Sequence, residues 1–283
     1  MQSIKEAYRK FLNTDYGAQL YNSFKDILYG GEDSLVQILN NNVLQNLPLV
    51  QKESLEVCDI GGGDGKRISH ILRFLHSKFD LRFRLDFIEQ SKQYVDAFDT
   101  GPLDSFCETT RFHALFEDVA LQSHYDLVFL IQSIFAFENR NAVDKVLSLP
   151  HSDGAIIVVS NAPHSFLGSL KLLVDEGYGD NRYEIDHLER GLEKRDVSFS
   201  KFEFKTKWTI DKSRYDREIG TLLEWISLGT YSKFSSDKKR LIEVYLSNNT
   251  VRKGERTFFS EDEIVLMIPP LRPETIRALR PTF

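Results

Sequence analysis

The stretch Val57-Cys58-Asp59-Ile60-Gly61-Gly62-Gly63-Asp64-Gly65 decides the fold. An apolar run delivers the chain into four glycines within five residues. Lys66–Phe79 follows with Ile68, Ile71, Leu72 and Leu75 on one helical face. Strand, glycine turn and helix in that order open a βαβ unit. Glycine lets the backbone take positive φ and lets a ligand meet main chain without a Cβ in the way. So dense a cluster costs backbone entropy with no packing return, so the expectation is a bound ligand. A phosphate-cradling Walker loop is excluded, because Gly65-Lys66-Arg67 lacks the final Ser or Thr. The dinucleotide fingerprint fails too, since Lys66 stands where its third glycine belongs. What remains is a nucleoside ligand whose polar, zwitterionic end rests on the turn.

Working outward, the runs Leu55–Ile60, Phe83–Ile88, Tyr125–Ile131 and Ala155–Val159 alternate with amphipathic stretches. That alternation predicts an α/β fold with a mostly parallel sheet buried on both faces. Ahead of it, Ile4, Tyr8, Phe11 and Leu12, then Leu20, Phe24, Ile27 and Leu28, recur at helical spacing up to Pro48. Beyond the sheet, Phe202, Phe204, Thr206, Trp208 and Ile210 alternate with polar residues, as in a half-buried or edge strand. Residues 215–247 return to helical spacing, and Ile264–Ile268 is a last strand-sized run before Pro269-Pro270.

The 283 residues carry 36 Lys and Arg against 42 Asp and Glu, a formal charge of −6. That balance argues against a dedicated nucleic-acid binder. Cys58 and Cys107 are too few for a disulfide framework or a cysteine zinc site, and the seven histidines are scattered without metal-ligand spacing. Met1–Lys10 has no apolar leader, and no run approaches the ~18 residues of a membrane span. A cytoplasmic protein without membrane, metal or nucleic-acid partner is the expectation.

Two acids extend the ligand reading. Glu89 closes the second run, where a carboxylate can accept both hydroxyls of a ribose. Asp118 follows the short run Arg111–Leu115, where an acid can accept from the exocyclic amine of adenine. With Asp59–Gly65 and Tyr125–Ile131, these elements resemble class I S-adenosylmethionine-dependent methyltransferases. The resemblance implies a Rossmann-like seven-stranded sheet closed by an antiparallel C-terminal hairpin, 201–210 with 264–268. It implies S-adenosyl-L-methionine as cofactor. Residues 1–50 would form a helical cap over the active site. Residues 51–283 would form the cofactor-binding domain, with a substrate-side helical insertion at about 211–256.

Within that family, Tyr8-Arg-Lys-Phe-Leu-Asn13, Ile131-Gln-Ser-Ile-Phe135, Ile156–Ser160 and Leu222-Leu-Glu-Trp225 resemble the histamine N-methyltransferase branch. The likeness implies cofactor contacts from Asp59, Gly61, Gly62, Gly63, Glu89, Gln90, Asp118, Val119 and Ile131. It implies substrate contacts from Gln132, Phe135, Asn161 and Trp225. Two segments depart from the branch. Thr14-Asp15-Tyr16-Gly17 lacks its amine-reading glutamate, and Asn161-Ala-Pro-His-Ser-Phe166 replaces its tryptophan-bearing segment. Asp15, Tyr16, Glu138 and His164 are unranked proton acceptors. The implied activity is methyl transfer to a small molecule, most simply at an amine nitrogen and next at oxygen. An RNA or protein methyltransferase on the same core, or a non-catalytic nucleoside-binding scaffold, are the alternatives.

Overall fold

Apolar runs with no polar alternation become the central strands, because helices cover both faces of a parallel sheet. The structure is a computed structural model. It describes residues 10–11, 14–17, 19–20, 23, 32–44, 51–121, 124–134, 140–174 and 185–270. The strands are β1 Ser54–Ile60, β2 Arg82–Glu89, β3 Cys107–His113, β4 Tyr125–Ile131, β5 Pro150–Asn161, β6 Ser200–Asp211, β7 Thr250–Lys253 and β8 Arg256–Ile268. The helices are α1 Glu32–Ile38, α2 Lys66–Phe79, α3 Lys92–Ala97, α4 Arg140–Leu147, α5 Phe166–Val174, α6 Ile185–Glu193, α7 Tyr215–Ile226 and α8 Ser236–Asn248. The sheet order is β3-β2-β1-β4-β5-β8-β6, with β7 on β8. Pairs β1–β2, β1–β4, β2–β3 and β4–β5 are parallel, and β7–β8 is antiparallel.

Two compact units divide the chain: Glu32–Ser160 with Tyr183–Glu203 and Ile264–Phe283, and Met1–Gly31 with Asn161–Arg182 and Phe204–Glu263. We call them the sheet unit and the helical unit. Glu32–Leu44 goes with the sheet unit, and residues 211–256 share a unit with 1–31.

In the sheet unit every residue of β4 is buried, as are Ala155–Val159 of β5. Helix α2 buries Ile68, Ile71, Leu72 and Leu75 and stops at Asp80, whose left-handed residue returns its N–H to the His76 carbonyl. The register Ile60↔Ile88 and Glu89↔His113 brings the carboxyl ends of β1, β2 and β3 level with one another.

In the helical unit Phe166 is the hub. Its ring lies 5.2 Å from Phe259, 5.7 Å from Tyr245 and 6.5 Å from Trp208. The Tyr245 hydroxyl and the Lys238 ammonium tie α8 to the Phe166 and Val174 carbonyls of α5. Ser165 caps α5 by accepting the Gly168 N–H, and buried Glu261 accepts the Leu167 N–H at 2.9 Å. Strand β6 keeps its expected alternation, with Thr206, Trp208 and Ile210 buried and Lys201, Glu203, Lys205 and Lys207 exposed. Lysines along the last strand of a sheet discourage further pairing.

Among the described residues the sheet has eight strands, one more than the resemblance implies. The eighth, β7, falls in the expected helical insertion, and its Val251, Arg252 and Lys253 are exposed, so no apolar alternation marks it. Gly254, at φ +60°, lies in the turn from β7 to β8. Strand β8 starts eight residues earlier than the apolar run Ile264–Ile268, because its inward positions include Glu261 and Glu263.

Candidate functional site

The glycine turn is laced to the tip of β2. The N–H groups of Gly61 and Gly62 both donate to the Ile88 carbonyl, at 2.8 and 3.3 Å. Gly61, Gly63 and Gly65 take φ of +69°, +60° and +72°, the left-handed region that favours glycine. Packing adds a second demand that the sequence reading denied. A Cβ on Gly61 would stand 2.6 Å from that of Ser133, whose hydroxyl donates to the Ile60 carbonyl at 2.6 Å. On Gly62 it would meet the Phe87 ring at 2.2 Å, and on Gly65 the Phe98 ring at 2.2 Å. The glycines therefore do have a packing return, and their density alone does not require a ligand.

Glu89 is buried and accepts one backbone N–H on each oxygen, from Gly63 at 3.0 Å and Ser91 at 2.8 Å. Its carboxylate thus fixes the glycine turn to the β2–α3 connection. Asp59 is enclosed beneath. Burial, and then the charge of Glu89, push its carboxyl up to about 8. Asp59 Oδ1 and Gln90 Oε1 are both buried without a hydrogen-bond partner among the described residues. Buried acceptors are rarely left so, and each calls for an explanation such as a missing water, ion or ligand.

Past β3, the 3-10 turn Phe116–Asp118 exposes Asp118 and buries the following Val119. Lys145 of α4 holds this turn. Its ammonium donates to the carbonyls of Phe116, Glu117 and Val119 at 2.6, 3.0 and 2.8 Å, and lies 4.6 Å from the Phe116 ring centre. Burial lowers the Lys145 pKa, opposed by the charges of Glu117 and Asp118. At the end of β4, Ile131 is buried. Gln132 turns the chain at φ +55° while donating its N–H to the Val159 carbonyl at 2.7 Å.

The sheet unit thus brings Asp59, Gly61, Gly62, Gly63, Glu89, Gln90, Asp118, Val119, Ile131 and Gln132 to the carboxyl ends of neighbouring strands. Ligands of open α/β sheets bind at such ends. Of the other expected residues, the helical unit holds Asn161, His164, Asp15, Tyr16 and Trp225. Asn161 closes β5, His164 is exposed in the next turn, Asp15 and Tyr16 are exposed, and Trp225 is buried on α7. Phe135 and Glu138 lie outside the described residues. Sequence reading missed Ser133 and Lys145. Ser133 adjoins Gln132 in Ile131–Phe135 and was findable. A lysine in the last turn of a short helix reads as solvated, so Lys145 carried no signal. Among the described residues no group of three or more His, Cys, Asp or Glu could hold a metal ion. No helix among them is long and apolar enough to cross a membrane.

No protein-family model matches this chain, and no curated protein matches it. Solved structures share its fold. YcgJ from Bacillus subtilis is similar at 14% identity and TM-score 0.53, over 86% of this chain and 99% of its own. The plantazolicin methyltransferase BamL, solved with a triazolic desmethylPZN analogue and S-adenosylhomocysteine, is 14% identical at TM-score 0.53, over 94% and 97%. The plantazolicin methyltransferase BpumL, solved with S-adenosylhomocysteine, is 12% identical at TM-score 0.52, over 94% and 95%. At these identities the likeness is one of fold, that of class I methyltransferases.

Proposed function

We propose that this protein is an S-adenosylmethionine-dependent methyltransferase that methylates a small molecule at an amine nitrogen. The observation that carries the reading is the Glu89 carboxylate, buried at the tip of β2 and bonded to Gly63 of the glycine turn. It stands where a ribose-binding acid is needed. The unpartnered Asp59 Oδ1 and Gln90 Oε1 fit a polar ligand at these strand ends. The S-adenosylhomocysteine held by BamL and BpumL on the same fold supports this choice of nucleoside.

When bound, the cofactor supplies a methyl group already activated on a sulfonium, with a neutral thioether as leaving group. The protein's share is then orientation and exclusion of water. Glu89 would orient the ribose, the glycine turn would admit the amino-acid end, and Asp118 with Val119 would flank the adenine. Ile131 would pack against the cofactor, and Gln132 would orient the acceptor through its amide. The amine acceptor rests on the likeness of Ile131–Phe135 and Leu222–Trp225 to the histamine N-methyltransferase branch.

Calorimetric titration with S-adenosylmethionine, S-adenosylhomocysteine and NAD in parallel tests the reading. Micromolar binding of the two sulfur nucleosides without NAD is the expected result. NAD binding alone would overturn it. Cofactor binding without turnover on any amine, alcohol, peptide or RNA would leave a nucleoside-binding scaffold in its place.

A further inference from the structure

In the helical unit, the turn after β5, residues 161–165, is held from β8 at two points. The Asp262 carbonyl accepts the Ala162 N–H at 2.8 Å, and the Ala162 carbonyl accepts the Ser165 N–H at 3.0 Å to close the turn. One residue away on β8, Glu261 reaches the turn's far end. Its Oε2 accepts the Leu167 N–H at 2.9 Å, and its carboxyl also takes the Ser165 hydroxyl. The Ser165 oxygen in turn accepts the Gly168 N–H at 3.0 Å. The turn folds back closely onto α5. A Cβ on Gly168 would stand 2.6 Å from the Pro163 carbonyl oxygen and 2.7 Å from that of Ala162.

Glu261 is fully buried, and its Oε1 has no hydrogen-bond partner among the described residues. A buried carboxyl with an unpaired oxygen costs stability. An apolar residue would avoid that cost and continue the packing of Phe259, two residues back on the same face of β8. Core packing therefore does not account for the acid. The donors it serves do. The Leu167 N–H is one of the first N–H groups of α5, which have no acceptor within their own helix. An acceptor projecting from β8 fixes both the start of α5 and the turn before it. That turn carries Asn161, an expected substrate contact, and the exposed His164, an expected proton acceptor. It begins at the carboxyl end of β5, the kind of position where open α/β sheets place their ligands.

We propose that Glu261 is a positioning residue: by holding Ser165 and Leu167 it sets turn 161–165 in the one arrangement that presents Asn161 and His164 to the methyl acceptor. The acceptor half of this statement rests on the methyltransferase reading; the hold on the turn does not. Glu261 is enclosed and acts only through the turn.

Hydrogen exchange of the full chain, read by mass spectrometry on peptides covering 161–168, tests the hold. Glu261→Leu keeps the bulk and removes the acceptor, whereas Glu261→Gln keeps an acceptor oxygen. The expected result is about tenfold faster exchange at Ser165 and Leu167 in Glu261→Leu, with α8 unchanged and with exchange near that of the parent in Glu261→Gln. Gly168→Ala pushes on the same turn from the other side without touching the carboxyl, and should also speed exchange at Ala162 and Ser165. Parent-like exchange in Glu261→Leu would overturn the proposal, as would equal acceleration in Glu261→Gln or in α8. Turnover of labelled S-adenosylmethionine on a panel of primary amines reads the other half. Glu261→Leu is expected to raise the acceptor KM about tenfold and to leave the KM for S-adenosylmethionine as in the parent. A rise in the cofactor KM alone would overturn the acceptor role. Faster exchange in Glu261→Leu of a protein whose parent methylates no amine would remove the amine methyltransferase reading and keep the hold on the turn.

Discussion

The Glu89 carboxylate takes a backbone N–H on each oxygen, from Gly63 and Ser91. A carboxylate offers about four acceptor sites, so holding two backbone donors is compatible with holding two hydroxyls. Replacement by alanine removes both functions. Binding of S-adenosylhomocysteine is expected to weaken tenfold to hundredfold, for a loss of about 1.5–3 kcal/mol. Unfolding should also move to lower denaturant, because two buried donors lose their partner. Calorimetry and urea titration of Glu89→Ala check the two effects, and unchanged affinity would remove Glu89 from the site. Gly62 poses the complementary case, where φ is not the constraint. A methyl there meets the buried Phe87 ring at 2.2 Å and Asp59 Oδ2 at 2.4 Å. Gly62→Ala is therefore expected to cost about 1–3 kcal/mol in overpacking. A urea midpoint equal to that of the parent would show that Phe87 can move aside. At this scale the sequence revealed that glycine was needed and misjudged why. Local pattern exposes backbone freedom, whereas a clash with Phe87, Phe98 or Ser133 exists only once the sheet is assembled.

Elements whose signal is apolar periodicity were legible to within a residue or two, apart from β5, which starts at Pro150, five residues before its run Ala155–Val159. Helix α2 has the bounds Lys66–Phe79 that its spacing predicts, and β1, β2 and β4 coincide with their runs. Elements carried by polar residues were not legible. Strand β8 buries Glu261 and Glu263 where alternation calls for apolar side chains, and β7 has an exposed valine and two cations. The 3-10 turn at Phe116–Asp118 belongs to the same class, since a lysine from α4 organises it through three carbonyls. Lys145→Met keeps most of the aliphatic stem and removes the donors. It is expected to cost about 2 kcal/mol in stability. If Asp118 and Val119 flank the adenine, adenosine affinity should fall while fluorescence of the helical unit's Trp208 and Trp225 stays as in the parent. Undiminished adenosine binding in a destabilised Lys145→Met would detach the turn from the nucleoside.

Across the whole molecule, two buried carboxyls, one in each unit, are pushed up to about 8. For Asp59 the cause is burial and then the charge of Glu89. For Glu261 burial outweighs the Ser165 and Leu167 hydrogen bonds and Lys171, and Glu263 adds to it. In the unfolded chain both ionise near pH 4. Between about 4 and 8 the folded protein therefore holds protons that the unfolded chain has released. Linkage then makes stability fall as pH rises through that window, by up to about 1.4 kcal/mol per pH unit for each group. The sign is opposite to that of a salt-bridged carboxylate such as Asp153, which burial raises but its bonds to Lys52 lower overall. Asp59→Asn and Glu261→Gln each replace a proton-holding carboxyl with a group that cannot ionise. Each variant is expected to gain on the parent steadily from pH 5 to pH 8, whatever its offset at pH 5. Urea unfolding at half-unit pH steps reads this out, with tryptophan fluorescence following Trp208 and Trp225 of the helical unit and circular dichroism following the whole chain. Parallel pH profiles for parent and variant would mean that the acid concerned is ionised in the folded protein. For Asp59 that outcome would place a negative charge beside Glu89, whose carboxylate already takes the Gly63 and Ser91 N–H donors.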